Sequence, residues 1–312
     1  MRSDPLRLRS DLILLLTAAI WGLAFVGQRA GVAHMGPFAF NALRFLVGAL
    51  VLTPLMLVGK GRRGADTGPT ARPRPTTALG RLGGVAVGIV LFAAAGLQQA
   101  GIVFTTAGKA GFITSLYVVI VPLLGLALGR RAPGATWVGA LLAAAGLYFL
   151  TMQGAFRMAA GDLLVLIGAF LWAAHMLLLG HLSPGRDPIR LAFTQFITCA
   201  ALSGLVALLL ETTTAAGMRA AALPILYTGI FSVGVGYTLQ VVGQRHAPPA
   251  DAAILLSMEA VFAVLGGRLL LGEHLTARAL AGCVLMLAGI LISQLWPTRK
   301  PAAAHSPLPT DH

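Results

Sequence analysis

Charged residues are scarce in this sequence: only 11% of its 312 residues are Asp, Glu, Lys or Arg, whereas 57% are hydrophobic. The mean hydropathy of +0.84 is far above the range of soluble domains. Apolar segments of about 20 residues, the length that crosses a bilayer, recur from end to end. This composition excludes a soluble globular protein and predicts an all-α, polytopic integral membrane protein.

Cysteine is equally scarce. Cys199 and Cys283 both fall within apolar segments, and neither has a second Cys or His at the spacing of a metal site. We therefore expect no disulfide framework, no metal and no cofactor. The sequence also contains neither Gly-x-Ser-x-Gly nor His-Glu-x-x-His, so an intramembrane enzyme is disfavoured and we expect the protein not to be an enzyme.

Ten apolar segments are long enough to be predicted as transmembrane helices. They lie at about 11–33, 37–58, 82–104, 107–128, 134–153, 161–181, 190–211, 220–243, 249–271 and 277–296. We assign residues 1–153 to a first five-helix repeat and residues 161–296 to a second. The Gly-, Pro- and Arg-rich stretch 59–81 is predicted to be a flexible cytoplasmic loop, and the tail 297–312 to be disordered.

The net charge of +13 raises the possibility of a nucleic-acid partner, but most basic residues lie in short connections between apolar segments. Of the 23 Lys and Arg residues, sixteen fall on the side of the N-terminus, five on the other side, and Arg44 and Arg268 lie within spans. The excess of positive charge predicts that both termini are cytoplasmic. We expect a multi-pass protein of the plasma (inner) membrane, with the lipid bilayer and no nucleic acid as partner.

The two halves of the sequence resemble each other. DLILLLTAAIW (11–21) aligns without a gap with DLLVLIGAFLW (162–172), and further along Gln98 aligns with Gln240. Because each half has five helices, an odd number, the second half must enter the membrane in the opposite sense. The sequence therefore predicts two inverted five-helix repeats, an arrangement found in many secondary transporters.

Several stretches, in their order and spacing, resemble the ten-helix, EamA-type branch of the drug/metabolite transporter superfamily. They are AAIWGLAFVGQRAG (18–31), LRFLVGAL (43–50), GDLLVLIGAFLWA (161–173) and LSMEAVFAVLGGRLLLGEHLT (256–276). The resemblance covers nearly all of the chain except the 59–81 loop and the tail. It implies a plasma-membrane carrier, often an exporter of small metabolites, that works by alternating access.

The sequence departs from the family pattern at two points. Ala260 stands where the family usually has a proline after a glutamate, so we expect Pro122 in the fourth helix, rather than position 260, to supply a helix irregularity. The sequence LGRR (128–131) replaces the family's Leu-Gly-Glu in the first half, whereas the second half keeps it at 271–273.

Glu259 is the one acidic residue of ten that lies in the middle of an apolar segment. An ionisable group at that depth is costly and usually faces the interior of the bundle or a water-filled cavity. Its partner in the repeat is Tyr117, also near the middle of a helix, where transporters of this symmetry bind their substrates. We predict that Glu259 binds a substrate ammonium or couples transport to protons. A purely structural carboxylate is the alternative.

Nine further side chains are candidates for substrate binding, because each is polar or aromatic and lies within or at the end of a span. They are Tyr117, Gln98, Gln240, Trp21, Trp172, His175, Arg44, Tyr237 and Gln195. Each has a structural alternative: Gln and His side chains form interhelical hydrogen bonds, aromatic rings pack, and Arg side chains extend to the membrane interface.

Together these features predict a secondary transporter that moves a small polar or amphipathic metabolite, such as an amino acid or a drug-like solute. Alternating access is the expected mechanism, and protons are the hypothesised coupling ion. A non-transporting membrane scaffold is the alternative from another class, although a scaffold has little use for a deep carboxylate. The sequence leaves open the substrate, the direction of transport, and the choice between a monomer and a weak homodimer.

Overall fold

The computed structural model describes residues 5–65, 78–105, 107–130, 132–151, 159–184, 186–262, 265 and 276–296. Within these ranges every regular element is a helix, which confirms the all-α prediction. In the same ranges, seven helices are long and apolar enough to cross a membrane, and Gly134–Phe149 and Leu280–Ser293 are shorter apolar helices. The protein is therefore a polytopic α-helical membrane protein.

The described part of the first half contains six helices. They are α1 (Pro5–Val32), α2 (Pro37–Ala65), α3 (Ala78–Phe104), α4 (Ala107–Ser115), α5 (Tyr117–Ala127) and α6 (Gly134–Thr151). The second half contains a long π-helix besides its α-helices. Its elements are α7 (Ala160–Leu182), α8 (Pro188–Leu210), α9 (Ala215–Ala220), α10 (Ala222–Tyr227), the π-helix (Thr228–Tyr237), α11 (Thr238–Gly243), α12 (Pro249–Leu256) and α13 (Ala277–Leu295).

The predicted 59–81 loop is shorter than the sequence suggests at both ends. α2 continues to Ala65 and α3 begins at Ala78, so helical structure extends into the stretch from each side. Residues 66–77 and the tail 297–312 lie outside the described residues, as do Arg268 and the Leu-Gly-Glu sequence at 271–273.

The fourth span is divided into α4 and α5 at Leu116. The amide of Leu116 donates to the carbonyl of Ile113 at 3.2 Å, a tighter three-residue turn in place of the α-helical bond. Pro122 lies inside α5, so the irregularity that we expected at this proline is wrong in its position. The break therefore lies at the three-residue turn before α5 and not at the proline.

The ninth span is interrupted at the equivalent point. α12 ends at Leu256, and the amide of Met258 donates to the carbonyl of Leu255 at 3.2 Å, again over three residues. Met258 is the repeat partner of Leu116 in the alignment that pairs Tyr117 with Glu259. The helix therefore breaks without a proline at position 260, and both breaks belong to the repeat itself.

Helix contacts occur in equivalent pairs, as an inverted repeat requires. Replacing both residues of one contact by their repeat partners gives a second contact that is also present. A Cβ built on Gly101 in α3 would lie 2.7 Å from the carbonyl oxygen of Gly161 in α7. In the exchanged pair, a Cβ on Gly243 in α11 would lie 3.4 Å from the carbonyl oxygen of Ser10 in α1. Gly243 and Ser10 are the repeat partners of Gly101 and Gly161, so the same contact occurs twice.

The α6–α13 crossing has the same symmetry and depends on glycine. A Cβ on Gly139 would lie 2.6 Å from the carbonyl oxygen of Gly289, and a Cβ on Gly146 would lie 2.6 Å from that of Gly282. Gly139 aligns with Gly282, and Gly146 with Gly289, so the exchange converts one contact into the other. Small residues allow helix backbones to approach closely in a membrane, where packing rather than hydrophobic burial drives association.

The buried apolar core lies between α1, α3, α5, α7 and α12 and extends to α6, α8 and α13. Large apolar side chains also cover the outside of the bundle; Leu208, Leu209 and Leu210 at the end of α8 are 87%, 71% and 77% exposed. Such an exterior suits contact with lipid, whereas a protein in water rarely exposes long apolar stretches.

The start of α2 is held by a carboxylate from another helix. The two oxygens of Glu211, just beyond α8, accept hydrogen bonds from the backbone amides of Phe38 at 2.9 Å and Ala39 at 2.8 Å. These amides have no partner within α2, since they belong to its first turn. This cap fixes the entry of α2, the helix that carries Arg44.

We predict that Gly139→Ala and Gly146→Ala separate α6 from α13 and lower the melting temperature of the purified protein. Each added methyl would meet a carbonyl oxygen at 2.6 Å, and overpacking of this kind costs about 1–3 kcal/mol. Gly204→Ala in α8 is the matched control, because the added Cβ would meet only the Cβ of Ala42 at 3.8 Å. That variant should be as stable as the parent or more so, because Ala favours a helix by about 1 kcal/mol over Gly.

Equal melting temperatures of Gly146→Ala and Gly204→Ala, measured in the same detergent, would contradict the proposed close contact of α6 and α13.

Candidate functional site

A narrow cavity of about 30 Å³ lies at the centre of the bundle, with room for roughly one or two water molecules. Both repeats contribute to its walls, which consist of Trp21, Phe25, Gln28, Thr114, Tyr117, Trp172, Met176, Ser232, Tyr237, Gln240 and Glu259. The cavity thus brings together six side chains that the sequence analysis selects. They are Glu259, Tyr117, Gln240, Trp21, Trp172 and Tyr237.

Glu259 is 3% exposed and is held by the two helices of the fourth span. Its Oε1 atom accepts hydrogen bonds from the hydroxyl of Tyr117 at 3.0 Å and from that of Ser115 at 3.1 Å. Its Oε2 atom accepts none from the described residues, and the side chain lines the cavity. One carboxylate oxygen is therefore fixed by hydrogen bonds, while the other makes none with the described residues.

Gln98 is the centre of a hydrogen-bond network behind the cavity wall. Its Oε1 atom accepts from the indole of Trp172 at 2.7 Å and from the hydroxyl of Thr114 at 3.4 Å. Its amide nitrogen donates to Oε1 of Gln28 at 3.1 Å. These bonds connect α3 with α1, α4 and α7, and they fix the indole of Trp172 against the cavity.

The equivalent network in the other repeat is incomplete. Trp21, the repeat partner of Trp172, donates its indole N–H to the carbonyl of Ser232 at 3.1 Å and not to Gln240. Oε1 of Gln240 consequently has no hydrogen-bond partner among the described residues, although Gln240 is the repeat partner of Gln98. Ser232 lies in the π-helix, a rare element that often occurs at functional sites.

Aromatic rings form one side of the cavity. The ring of Tyr237 lies 4.7 Å from that of Trp21 and 5.9 Å from that of Trp172, with which it is stacked at an interplanar angle of 18°. Tyr237 also contacts Phe45 and Phe196, with ring centroids 5.8 Å and 6.1 Å away. The faces of such rings carry partial negative charge and attract cations.

Arg44 lies behind this aromatic wall and is 1% exposed. Its Nε atom donates to Oδ1 of Asn41 at 2.8 Å, and its guanidinium lies 4.9 Å from the ring of Phe45 and 5.8 Å from that of Phe40. Its Nη2 atom has no hydrogen-bond partner within the described part of the chain. This burial is incompatible with a side chain that extends to the membrane interface.

His175 and Gln195 pair with each other. Nε2 of His175 lies 2.9 Å from Oε1 of Gln195, and the imidazole and the ring of Trp172 form an edge-to-face pair with centroids 5.7 Å apart. Neither residue is among the described residues that line the cavity. The two side chains thus form a hydrogen bond between α7 and α8, and substrate binding by either remains a prediction.

The site includes polar residues that the sequence analysis does not select. Gln28, Thr114 and Ser232 line the cavity, and Ser115 holds Glu259. Gln28 could have been selected from the sequence, because it lies seven residues after Trp21, two helical turns along the same face of α1. The uncharged Thr and Ser side chains had none, because single hydroxyls are common in membrane helices and form bonds within their own helix.

One relation between the repeats also appears only with the structure. The gapless alignment that pairs Trp21 with Trp172 continues to pair Arg44 with Gln195 and Phe45 with Phe196. The two phenylalanine rings lie 6.2 Å apart, so α2 and α8 meet at the pseudo-two-fold axis. At these two equivalent positions the first repeat therefore has a basic side chain, Arg44, and the second has an amide, Gln195.

A second, larger cavity of about 270 Å³ lies at the end of the bundle that contains the start of α1. Asp251 of α12 lies in its wall and pairs with Nη2 of Arg7 at 2.8 Å. The same carboxylate accepts hydrogen bonds from Thr136 of α6 at 3.2 Å and Ser293 of α13 at 3.4 Å. These contacts connect elements of both repeats at that end of the molecule.

Metal binding receives no support in the described residues, where no group of three or more His, Cys, Asp or Glu side chains could hold an ion.

Comparison with known proteins supports this fold and identifies the family of the chain. The model of the EamA-like transporter family matches residues 8–152 and again residues 159–295. An uncharacterized transporter of Archaeoglobus fulgidus is 34% identical over 291 residues, which cover 93% of this chain and 87% of the relative. An uncharacterized protein of Pseudomonas aeruginosa is 29% identical over 289 residues, which cover 89% and 93%.

A solved crystal structure superposes with a TM-score of 0.74 at 20% identity and covers 93% of this chain and 99% of its own, a likeness of fold. The two family matches coincide with the two repeats described above. The chain therefore belongs to the EamA-like transporter family.

Proposed function

We propose that the protein exports a small amphipathic metabolite with a protonated amine across the plasma membrane, and that Glu259 binds this amine or a proton in turn. The observation that carries the proposal is the carboxylate itself. One of its oxygens is held by Tyr117 and Ser115. The other has no hydrogen-bond partner among the described residues, and the side chain lines a cavity walled by Trp21, Trp172 and Tyr237. A carboxylate beside aromatic faces is suited to an organic ammonium.

A proton and the substrate ammonium would compete for one oxygen of Glu259, and this competition would couple transport to protons. A buried carboxylate is strongly disfavoured as a bare charge, so it should be either protonated or paired with the ammonium. Substrate binding on one side would then release a proton, and protonation on the other side would release the substrate. Export and proton entry are thereby linked without a second site.

The difference between the two repeats supports alternating access. In this structure Trp172 donates to Gln98, while Trp21 donates to a backbone carbonyl and Oε1 of Gln240 has no hydrogen-bond partner among the described residues. In inverted-repeat carriers one repeat moves against the other around the central site. We propose that the opposite state exchanges these roles: Trp21 would donate to Gln240, and Trp172 would leave Gln98.

The contacts of Asp251 mark an interface that this motion would separate. Arg7 and Thr136 come from the first repeat, whereas Asp251 and Ser293 come from the second. A carrier that opens at the end nearest the start of α1 must break the bonds between these groups. The adjoining cavity of about 270 Å³ is already present on that side.

We predict that Glu259→Gln abolishes both proton-gradient-driven transport and solute exchange in proteoliposomes. A neutral amide can neither take up the proton nor pair with the ammonium, so activity should fall about tenfold or more. The assay would follow release of a labelled mixture of metabolic amines and amino acids, with protein-free liposomes as background. Glu259→Asp, which keeps the charge on a shorter side chain, should retain part of the activity. Unchanged rate and pH dependence in Glu259→Gln would refute this role.

We predict opposite effects for the equivalent variants Gln98→Leu and Gln240→Leu. Gln98→Leu leaves the indole of Trp172 without its acceptor and should shift the equilibrium away from the observed state by about 1 kcal/mol. Gln240→Leu removes an acceptor that is unused here and should favour the observed state while slowing transport.

Spin labels on the loops at each end of the bundle would report the two populations as distance distributions. The same shift in both variants would contradict the exchange of Trp–Gln bonds.

A further inference from the structure

The larger cavity lies close to the central one and shares helices α1, α5 and α7 with it. On α5, Tyr117 lines the central cavity, and Val121, one turn further along the helix, lines the larger one. On α7, Met176 lines the central cavity and the next residue, Leu177, lines the larger one. A layer about one helical turn thick therefore separates the two spaces. The larger cavity lies on the side predicted to be cytoplasmic, from which an exporter takes up its solute.

Asp251 in the wall of the larger cavity is bonded in the same way as Glu259 in the wall of the central one. Oδ1 of Asp251 accepts from two hydroxyls, those of Thr136 at 3.2 Å and Ser293 at 3.4 Å. Oε1 of Glu259 likewise accepts from two hydroxyls, at 3.0 Å and 3.1 Å. At Asp251 the second oxygen, Oδ2, pairs with a cation, the guanidinium of Arg7.

Arg7 is the more easily moved member of this ion pair. Its side chain is 43% exposed, whereas that of Asp251 is 10% exposed. Solvent weakens an ion pair that it can reach, and a long exposed side chain gains freedom when it leaves. The buried carboxylate cannot remain alone at the same cost, because an unpaired charge away from water is strongly disfavoured. A cation that displaces Arg7 must therefore take over its contact with Asp251.

Asp11 offers Arg7 a second partner. The two residues lie four apart on α1, the spacing at which side chains on one face of a helix meet. Asp11 interacts electrostatically with both Arg7 and Asp251, so the three side chains form one charged cluster. The Oδ1 atom of Asp11 is buried and has no hydrogen-bond partner among the described residues. Arg7 can thus exchange one carboxylate for the other and keep a counter-charge.

We propose that the larger cavity is an entry site for the transported amine, in which the substrate ammonium replaces the guanidinium of Arg7 on Asp251. This inference rests on the proposed function. Arg7 turns to Asp11, the ammonium binds Oδ2 of Asp251, and the volume of about 270 Å³ has room for a small solute. The displacement also breaks an ion pair between the two repeats. Binding of the substrate itself therefore loosens the layer that separates it from Glu259.

Arg130 also lines the larger cavity and provides the matched control for Arg7. It is exposed, and its side chain forms no hydrogen bond or ion pair with the described residues. Loss of either arginine takes one positive charge from the wall, but only Arg7 occupies the carboxylate of Asp251. A general electrostatic effect would therefore appear in both variants, whereas relief from displacement would appear at Arg7 alone.

The test measures binding of labelled phenethylammonium, an amine without a carboxylate, to the purified full-length protein in detergent. Glu259→Gln removes the carboxylate of the central site, so the saturable binding that remains reports the entry site. We expect this variant to keep such a site. The double variant Glu259→Gln/Asp251→Asn should lose about tenfold or more in affinity, as expected for a charged hydrogen bond. The neutral isostere 2-phenylethanol should not compete.

Within the Glu259→Gln protein, Arg7→Gln should raise the affinity for phenethylammonium about tenfold, because the amine no longer competes with a guanidinium. Arg130→Gln should raise it much less, since water and salt screen an exposed charge. Arg7→Lys is the second variant, in case the first does not fold. Lysine keeps the charge but lacks the paired donors, so the affinity should rise by less than tenfold and still exceed that with Arg7.

The outcomes separate this inference from the proposed function. The entry site is overturned, while Glu259 keeps its proposed role, if Glu259→Gln removes all saturable binding that the wild type shows. Binding that Asp251→Asn leaves unchanged, equal effects of Arg7→Gln and Arg130→Gln, or effective competition by 2-phenylethanol would overturn it as well. Absence of phenethylammonium binding in the wild type and in every variant would overturn the inference and count against amine export too.

Discussion

A polar group that leaves water for the bilayer must find its partner within the protein, and this constraint accounts for most of the features described above. The membrane interior offers no water to an unpaired amide or carboxylate, so each one costs several kcal/mol unless it is bonded. Glu211 meets the requirement at the start of α2 by accepting from two backbone amides. Asp162 meets it by accepting from the hydroxyl of Thr105 and the amide of Ala159. A buried polar atom without a hydrogen-bond partner is therefore unusual, because it carries this cost.

The architecture could be predicted from the sequence because the cost of polar groups in the membrane restricts which residues a span can contain. Long apolar segments, basic connections and a duplicated pattern led to an all-α membrane protein, and the helix contacts of Gly101 and Gly139 obey the predicted exchange of repeats. Glu259 could be selected for the same reason: a carboxylate in the middle of an apolar segment is rare enough to be informative. Ser115 and Thr114 could not, since a hydroxyl can bond to a carbonyl of its own helix and is therefore common in membrane spans.

The remaining features depend on tertiary contacts that no local pattern records. The helix breaks at Leu116 and after Leu256 occur without proline, so the sequence rule that pointed to Pro122 was misleading. Trp172 is bonded to Gln98, whereas Trp21 is bonded to Ser232 in a π-helix, an element that the described part of the first half lacks. The pairing of His175 with Gln195 likewise required the positions of α7 and α8.

The symmetry of the backbone and the asymmetry of the side chains have different roles. Equivalent positions of the two repeats hold Tyr117 and Glu259, and likewise Gln195 and Arg44. In each pair one member is an uncharged polar side chain and the other is an acidic or basic one. A perfectly symmetric site would present the same groups to a solute in either orientation and could not distinguish its two ends. In the proposed carrier the common backbone would allow a symmetric motion, while a carboxylate at one of two equivalent positions in the cavity and a phenol at the other would impose one orientation on the solute.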